Sequence, residues 1–341
     1  MPRQPTATLG ISAFGPDIEA TVRIARAADA AGVPATWTSE LYNRSVTIPL
    51  AAMATVTERT LLGAAIAYGV GRSPMTLAAE ARDLDELSHG RFVLGLGNGT
   101  RTMIRDWHGQ DPEAPAVRIE ELVPLIRAIW NVHERPVDHD GRFYRMRFRP
   151  IGDPPAIQRA IPIHTAGLNP RMCESAGRVA DGIIAHPVCS AKYLQEVVAP
   201  AVAKGAARSE RAVEEIELAS MVICVVHDDL EQARRDAASQ ISFYGSVKTY
   251  DAAFALNGFA ANAEAIREAF RAGDEDAMRV AVSDEMVDAM AVCGRTASEV
   301  RAGLRRYDGV LDHAIAYSPT HGLSAERVEE NIMSLVEVAA S

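Results

Sequence analysis

Short apolar segments alternate with longer amphipathic segments along this 341-residue chain, and the alternation restricts the possible folds more than any other feature. Eight apolar segments have the length and composition of strands: residues 8–14, 35–39, 61–67, 91–97, 161–166, 182–185, 216–226 and 313–317. The segments between them have helical periodicity, as at Ile18, Val22 and Ala25. This alternation is typical of parallel strands joined by right-handed crossovers, and eight units favour a closed (β/α)8 TIM barrel over an open sheet.

Capping residues mark the start of two predicted helices. Asp17 precedes the first amphipathic segment, and Ser73 is followed by Pro74, which fits the first helical position. A third segment, residues 48–56, is apolar on nearly every side. Because such a helix must be covered on all sides, we expect it to lie in a subunit interface.

Two long stretches interrupt the regular alternation, and we interpret residues 1–341 as one barrel domain that carries both as insertions. Residues 131–160 are irregular and rich in Pro, Gly and Arg, and residues 243–293 form a second, mostly helical excursion. Both are too long for ordinary barrel loops. We expect them to lie over the C-terminal mouth of the barrel, where this fold has its active sites.

The composition is that of a globular protein, with 48% hydrophobic and 23% charged residues. The net charge of −10 argues against nucleic-acid binding, which needs a basic face. No apolar run reaches the roughly 18 residues of a membrane span, and residues 1–7 lack the apolar core of a signal peptide. The four cysteines form no C-x-x-C pair, so we expect reduced thiols and a cytoplasmic protein.

The clearest anion-binding signal is the turn at residues 165–170, which follows a predicted strand and opens a predicted helix. Gly167 permits a close backbone approach, and Pro170 fits the first helical turn. The free N–H groups of such a turn, with the helix dipole, suit a phosphate. The turn is equally compatible with a plain strand–helix connection, and Arg171 with either a phosphate contact or a solvated surface position.

A second glycine-rich stretch, residues 95–100, superficially resembles a dinucleotide-binding fingerprint. Its spacing is G-x-G-x-G rather than G-x-G-x-x-G, and no acidic residue ends a strand about twenty positions later. A nicotinamide-binding Rossmann domain is therefore disfavoured. In a barrel, Gly95 and Gly97 can let a planar ligand lie close to the strand end, with Asn98 and Thr100 as its hydrogen-bonding groups.

Other polar residues fall where predicted strands end. Glu40 follows the second strand, where a carboxylate can accept a hydrogen bond from a heterocycle or act in proton transfer, although it can also serve a salt bridge. Trp107 and His108 fall in the fourth βα loop and either line a pocket or pack the loop. His186 follows the sixth strand, and the sequence leaves open whether it contacts a cofactor.

Motifs for several other chemistries are absent from the sequence. There is no H-x-x-x-H, H-x-H or Cys/His cluster with metal spacing, and we predict no metal site. There is no G-x-S-x-G nucleophile elbow. The phosphate-binding loop G-x-x-x-x-G-K-[ST] is also missing.

Four stretches resemble one known group of proteins in both content and order. They are residues 73–97, residues 166–182, residues 282–290, and residues 318–322 with the terminal helix. In them the chain resembles the luciferase-like monooxygenase superfamily, and within it the coenzyme F420-dependent oxidoreductases. The second and third stretches are the more specific, whereas the first is common to flavin and deazaflavin members.

The resemblance implies a barrel that forms a homodimer and holds a cofactor tricycle at the strand C-termini. It also implies a phosphate near Gly167 and a non-prolyl cis peptide, here Ala65–Ile66, as a bulge behind the cofactor ring. With the sequence reasoning above it gives these expected cofactor contacts: Glu40, Ala65, Ile66, Ala67, Asn98, Thr100, Ala166, Gly167, Leu168, Arg171 and His186.

Two positions depart from the sugar-phosphate-oxidising relatives in this superfamily. Where those proteins have a histidine after the acidic residue of the second strand, this chain has Leu41. Where they have a glutamate after the glycines, it has Thr100. Both positions serve catalysis in those relatives, so we expect a different substrate here.

The predicted activity is hydride transfer between reduced coenzyme F420 and a small organic substrate, with Glu40 as the candidate catalytic residue. The first alternative is an FMN-dependent monooxygenase that uses O2 on the same barrel. The second alternative is a barrel that has lost its cofactor and only binds a ligand or partner.

Overall fold

The computed structural model describes residues 6–153, 156–157 and 159–340, and its centre is a closed barrel of parallel strands. The strands are β1 (Thr8–Ser12), β2 (Ala35–Thr38), β3 (Leu61–Ala64), β4 (Ala67–Tyr68), β5 (Phe92–Gly97), β6 (Val137–Asp140), β7 (Arg145–Phe148), β8 (Ile163–Gly167), β9 (Gly182–Ala185), β10 (Glu217–Val226), β11 (Ala291–Gly294) and β12 (His313–Tyr317). The barrel follows the order β1–β2–β3–β5–β8–β9–β10–β12. It closes because β12 pairs in parallel with β1, with Thr8 opposite His313.

The eight predicted strand segments all contribute to this barrel, so the predicted fold is confirmed. The third segment differs in detail, since residues 61–67 form two strands, β3 and β4, rather than one. The Ala65–Ile66 peptide bond between them is cis, as the resemblance implied. After this bond, β4 pairs with β5, with Ala67 opposite Leu96.

Helices surround the barrel, and two of them, α1 and α3, begin after the predicted capping residues Asp17 and Ser73. They are α1 (Ile18–Ala30), α2 (Thr47–Ala54), α3 (Pro74–Leu87), α4 (Pro115–Trp130), α5 (Pro170–Val179), α6 (Ala191–Tyr193), α7 (Ala199–Arg208), α8 (Leu230–Gly245), α9 (Asp251–Leu256), α10 (Ala260–Ala272), α11 (Glu275–Val280), α12 (Asp284–Met290), α13 (Ala297–Leu304) and α14 (Ala325–Ala339). The Asp17 carboxylate accepts from the N–H of Ala20 at 2.7 Å. The Ser73 hydroxyl accepts from the N–H of Thr76 at 3.1 Å, which confirms the second predicted cap.

Both long excursions contain regular structure, part of which was not predicted from the sequence. In the first, β6 and β7 form an antiparallel hairpin, while residues 154, 155 and 158 lie outside the described part. In the second, α9 to α12 confirm a mostly helical segment, but β11 was not predicted. This four-residue strand pairs with the last residues of β10, opposite Ile223 to Val226. The C-terminal residues of β10 thus extend beyond the barrel strands and pair with the end of the second excursion.

The apolar segment at residues 48–56 forms α2, which covers one side of the barrel. Leu50 and Met53 are buried, whereas Ile48 is 63% exposed. The predicted subunit interface on this helix stays a prediction, because the structure contains one chain.

Two findings bear on the predictions from composition. Cys173, Cys189 and Cys224 are buried free thiols, and Cys293 is a partly buried one, in agreement with the reduced state that was predicted. Within the described ranges, no helix combines the length and apolar character that crossing a bilayer requires.

Candidate active site

The C-terminal mouth of the barrel has an apolar floor formed by three neighbouring strands. A Cβ atom added at Gly97 would lie 2.7 Å from Cδ1 of Ile66 and 3.1 Å from Cβ of Ala166. Two predicted cofactor contacts, Ile66 at the bulge between β3 and β4 and Ala166 on β8, are therefore brought together with Gly97 on β5. Because Gly97 has no side chain, the floor stays flat enough for a planar group.

Gly95, which was predicted to have the same role as Gly97, serves the barrel wall instead. A Cβ atom there would lie 1.8 Å from the carbonyl oxygen of Ala64, inside the backbone of the adjacent strand. Gly95 therefore permits close strand packing, and only Gly97 of the pair shapes the mouth.

Buried polar atoms without partners occur at or near the strand ends. The Oδ1 atom of Asn98 is one of them, although its Nδ2 donates to the Pro115 carbonyl at 2.8 Å. The hydroxyls of Ser12 and Thr38, the last residues of β1 and β2, are two others, and that of Thr165 in β8 is a fourth. Buried polar groups normally have hydrogen-bond partners. Among the described residues these atoms thus have unused hydrogen-bonding capacity, and only Asn98 of the four was predicted as a ligand contact.

Thr100 has a local structural role that differs from the predicted one. Its hydroxyl accepts from the N–H of Met103 at 3.2 Å, which supports the π-helical turn Met103–Trp107. The predicted ligand contact of Thr100 thus competes with a hydrogen bond to the protein.

The turn between β8 and α5 has the open helix start that an anion site needs. Asn169 is the N-cap residue, and its side chain makes no capping hydrogen bond. Among the described residues, the backbone N–H groups of Asn169 and Arg171 have no acceptor, and both residues are exposed. The carbonyl of Leu168 faces the protein, where it accepts from the hydroxyl of Tyr193 at 3.3 Å. The turn is thus fixed on its protein side by the Leu168 carbonyl, and its free N–H donors lie on the solvent side.

Arg171 does not add a free positive charge to this turn. Its guanidinium donates to Glu120 at 2.6 Å, and Arg178 donates to the other oxygen of the same carboxylate at 3.2 Å. Glu120 contacts these guanidinium groups and not the N–H groups of the turn. Of the two interpretations of Arg171, the structure favours a surface ion pair.

Glu40 is held rigidly at the end of β2 by two donors to one oxygen. Its Oε2 accepts from the Tyr68 N–H at 2.9 Å and from Arg72 at 2.7 Å. Arg72 also pairs with Glu80 at 3.1 Å, and the side chains of Glu40 and Arg72 are only 12% and 13% exposed. In the described part of the chain, Oε1 of Glu40 has no hydrogen-bond partner. Glu40 is therefore both a salt-bridge carboxylate and a residue with an oxygen available for a ligand.

A pocket of about 390 Å³ opens beside Glu40. The side chains of Tyr68, Trp107 and His108 line it together with residues 41–45. The His108 ring lies edge-on to Tyr68, with centroids 5.2 Å apart. Of the two interpretations of Trp107 and His108, the structure favours pocket lining.

On the opposite side of the mouth, His186 lies in an aromatic cluster that sequence reasoning missed. Its ring stacks on Tyr250 with centroids 4.2 Å apart and meets Tyr244 edge-on at 4.6 Å. The hydroxyls of Tyr244 and Tyr317 are 3.3 Å apart. Tyr244 and Tyr250 come from the second excursion, so no local signal in the sequence could have linked them to strand ends.

Burial fixes the protonation states of these rings. It lowers the pKa of His186 to about 3, so the imidazole is neutral at pH 7. Burial also raises the pKa of Tyr250 to about 12. The pKa of Tyr68 is raised by burial first and then by the nearby Glu40 carboxylate. The mouth thus contains neutral phenols that can donate hydrogen bonds, and one carboxylate fixed by an arginine.

These features fit a planar cofactor with an anionic tail better than a metal centre. The flat floor, the unpaired polar atoms and the open helix start supply what a tricyclic ring and a phosphate require. Groups of three or more metal-ligating side chains are not found within the described ranges. The arrangement can bind a ring, exclude water around it and hold a proton near it.

Comparisons with known proteins identify the family and support the fold. Residues 2–313 match the luciferase-like monooxygenase family. A 5,10-methylenetetrahydromethanopterin reductase of Archaeoglobus fulgidus is 30% identical over 275 residues, which cover 78% of this chain and 80% of the relative. An F420-dependent glucose-6-phosphate dehydrogenase of Nocardia farcinica is 32% identical over 173 residues, or 49% of this chain and 50% of the relative.

Among solved structures, the coenzyme F420-dependent tetrahydromethanopterin reductase of Methanopyrus kandleri superposes with a TM-score of 0.79. The match covers 95% of this chain and 96% of that protein at 22% identity, which supports the fold alone. The family match and the identity to the Archaeoglobus reductase, in contrast, extend over most of the chain. The chain therefore belongs to the luciferase-like monooxygenase family, whose members are F420- or flavin-dependent oxidoreductases and monooxygenases.

Proposed function

We propose that this protein transfers a hydride between coenzyme F420 and a small organic substrate bound in the barrel mouth. The observation that carries the proposal is the flat floor of Ile66, Gly97 and Ala166 next to the open start of α5. The names of the relatives, an F420-dependent dehydrogenase and a methanopterin reductase, support the choice of cofactor.

The residues described above would contact the ring and the phosphate of this cofactor. Ile66, Gly97 and Ala166 would lie under the ring, with the unpaired Oδ1 of Asn98 at its polar edge. The N–H groups of Asn169 and Arg171 would hold the phosphate. When bound, the deazaflavin supplies a ring carbon that donates or accepts a hydride.

The protein would contribute positioning, exclusion of water and one group that holds a proton. The aromatic cluster around His186 and the wall around His108 shield opposite sides of the mouth from solvent. Glu40 is the proposed proton-handling residue, because Arg72 fixes Oε2 and leaves Oε1 without a partner among the described residues. The fixed carboxylate is thus oriented before any substrate arrives.

Cofactor titration tests the proposal directly. The purified protein is titrated with F420 and with FMN, without oxygen, and binding is followed by the change in cofactor absorbance. We expect F420 to bind and FMN to bind more weakly. Tight FMN binding with reductase-dependent oxygen consumption would favour the monooxygenase alternative. Failure to bind either cofactor would favour a barrel that only binds a ligand.

The role of Glu40 is tested by a pair of variants. Glu40→Gln should lower turnover by about a hundred-fold or more, the range of general acid–base catalysis, with a smaller effect on cofactor affinity. Glu80→Gln is the matched control, since Glu80 shares Arg72 but does not line the pocket. Glu40 would lose its proposed role if turnover of Glu40→Gln were unchanged, or if Glu80→Gln lowered turnover equally.

A further inference from the structure

The pocket beside Glu40 has an aromatic wall exposed to solvent. Tyr42 is 77% exposed and Trp107 is 47% exposed, and their rings meet edge-to-face with centroids 5.8 Å apart. Leu41 lines the same pocket and is 36% exposed. Small-molecule pockets are lined mainly by apolar and aromatic side chains. This wall therefore suits a flat unsaturated ring, which can pack on the Tyr42 and Trp107 side chains.

A buried nitrogen in the same pocket lacks a partner. The Nε2 atom of His108 is shielded from solvent and makes no hydrogen bond to any described residue. Leaving such a group unsatisfied costs free energy, so unpaired buried atoms in native proteins require an explanation. A polar substituent of a bound ligand would supply the missing partner if the imidazole ring turns towards the pocket.

One guanidinium group of the pocket has no carboxylate partner among the described residues, although the pocket lining as a whole carries one carboxylate and one guanidinium. The carboxylate of Glu40 is already paired with Arg72. Arg44 also lines the pocket, and its guanidinium donates to the Pro16 carbonyl at 2.7 Å, with no ion pair to a carboxylate among the described residues. A guanidinium group has five donors in a planar fork that matches a carboxylate. Arg44 therefore leaves a positive charge and free donors at the edge of an aromatic pocket.

We propose that this pocket binds an aromatic or conjugated carboxylate. The carboxylate lies on Arg44, the ring packs against Tyr42 and Trp107, and a polar substituent reaches His108. The volume of about 390 Å³ is at the small end of ligand pockets, which favours a molecule with one ring. This inference rests on the proposed function, because the bound molecule would be the substrate of that reaction.

Calorimetric titration with a matched pair of probes tests the inference in the absence of cofactor. 4-Hydroxybenzoate has the ring and the carboxylate, whereas 4-hydroxybenzamide has the same ring without the charge. We expect the carboxylate to bind at least about ten-fold more tightly, since charge-assisted hydrogen bonds are stronger than neutral ones. Trp107 fluorescence gives a second readout, because Trp37 and Trp130 are buried.

Two arginine variants identify the group responsible. Arg44→Gln should weaken 4-hydroxybenzoate binding by about ten- to a hundred-fold, the range of hydrogen bonds to charged groups, and leave 4-hydroxybenzamide unchanged. Arg306→Gln is the control, because Arg306 also donates to backbone carbonyls, those of Asp288 and Ala291. It should bind both probes as the unaltered protein does.

The outcomes separate this inference from the proposed function. Equal affinity for the two probes, or an Arg44→Gln variant with unchanged 4-hydroxybenzoate affinity, would overturn the inference even if F420 binds. Arg44-dependent binding of 4-hydroxybenzoate by a protein that does not bind F420 would support the pocket assignment while the proposed function fails.

Discussion

Acidification should destabilise the barrel because two histidines are buried inside it. His164 lies in β8 and His313 begins β12, and they are 3% and 4% exposed. Burial lowers the pKa of His164 to about 4 and that of His313 to about 3. The Trp37 indole donates to Nε2 of His313 at 3.0 Å, which requires that nitrogen to be unprotonated.

The size of the effect follows from the protons that folding excludes. Both folded-state pKa values lie below the unfolded value of 6.5, so this stability is present above pH 6.5 and is lost as the pH falls. His186, whose pKa burial lowers to about 3, adds a third such site, so between about pH 6 and pH 5 the unfolded chain binds close to three protons that the native protein does not. Each contributes about 1.4 kcal/mol per pH unit, which gives about 4 kcal/mol per unit for the three.

One nearby group acts in the opposite direction. Burial raises the pKa of Glu217 to about 7, so the native state takes up a proton there before the unfolded state does. That carboxylate stabilises the fold as the pH falls towards 4.5. Its side chain is 42% exposed, and solvent screening therefore makes its contribution smaller than that of either histidine.

Urea unfolding of the full chain at pH 7, 6 and 5 measures this slope. His164→Leu should remove about a third of the pH dependence, since Nδ1 of His164 has no hydrogen-bond partner to lose among the described residues. His133→Gln, at an exposed histidine, is the control and should leave the slope unchanged. A stability that is flat between pH 6 and 5, or an equal slope in His164→Leu, would refute the reasoning.

Three substitutions test the packing arguments. Gly97→Ala should weaken F420 binding in a titration while the protein still folds, because its Cβ meets only the flexible end of Ile66 and the Ala166 methyl group; unchanged affinity would contradict the proposed floor. Gly95→Ala should give little folded protein by circular dichroism, because its Cβ would overlap backbone; a stable product would contradict the close strand contact. Ser73→Ala should lower the free energy of unfolding by about 1 kcal/mol in urea, the usual value of an N-cap, and no change would contradict that role.

The barrel could be predicted from sequence because its signal is repeated eight times along the chain. Helix starts could also be predicted where a single capping residue determines them, as at Asp17 and Ser73. The break between β3 and β4 was not visible in the apolar pattern of residues 61–67, and it entered only through the family resemblance. The strand β11 was missed because four apolar residues after a helix carry little information about pairing.

The site was harder to predict because its parts depend on partners distant in the chain. Arg171 forms a surface ion pair because Glu120, which belongs to α4, lies beside it. Tyr250 reaches His186 from an excursion whose path the sequence does not define. Thr100 had a nearby explanation that was overlooked, since a threonine before a short helical turn can cap it.

A crystal structure of the protein with bound F420 would test the central claim most directly. The account predicts that the ring lies on Ile66, Gly97 and Ala166, with a phosphate oxygen about 3 Å from the backbone nitrogen atoms of Asn169 and Arg171. A phosphate bound away from the start of α5, or a ring outside the barrel mouth, would contradict it.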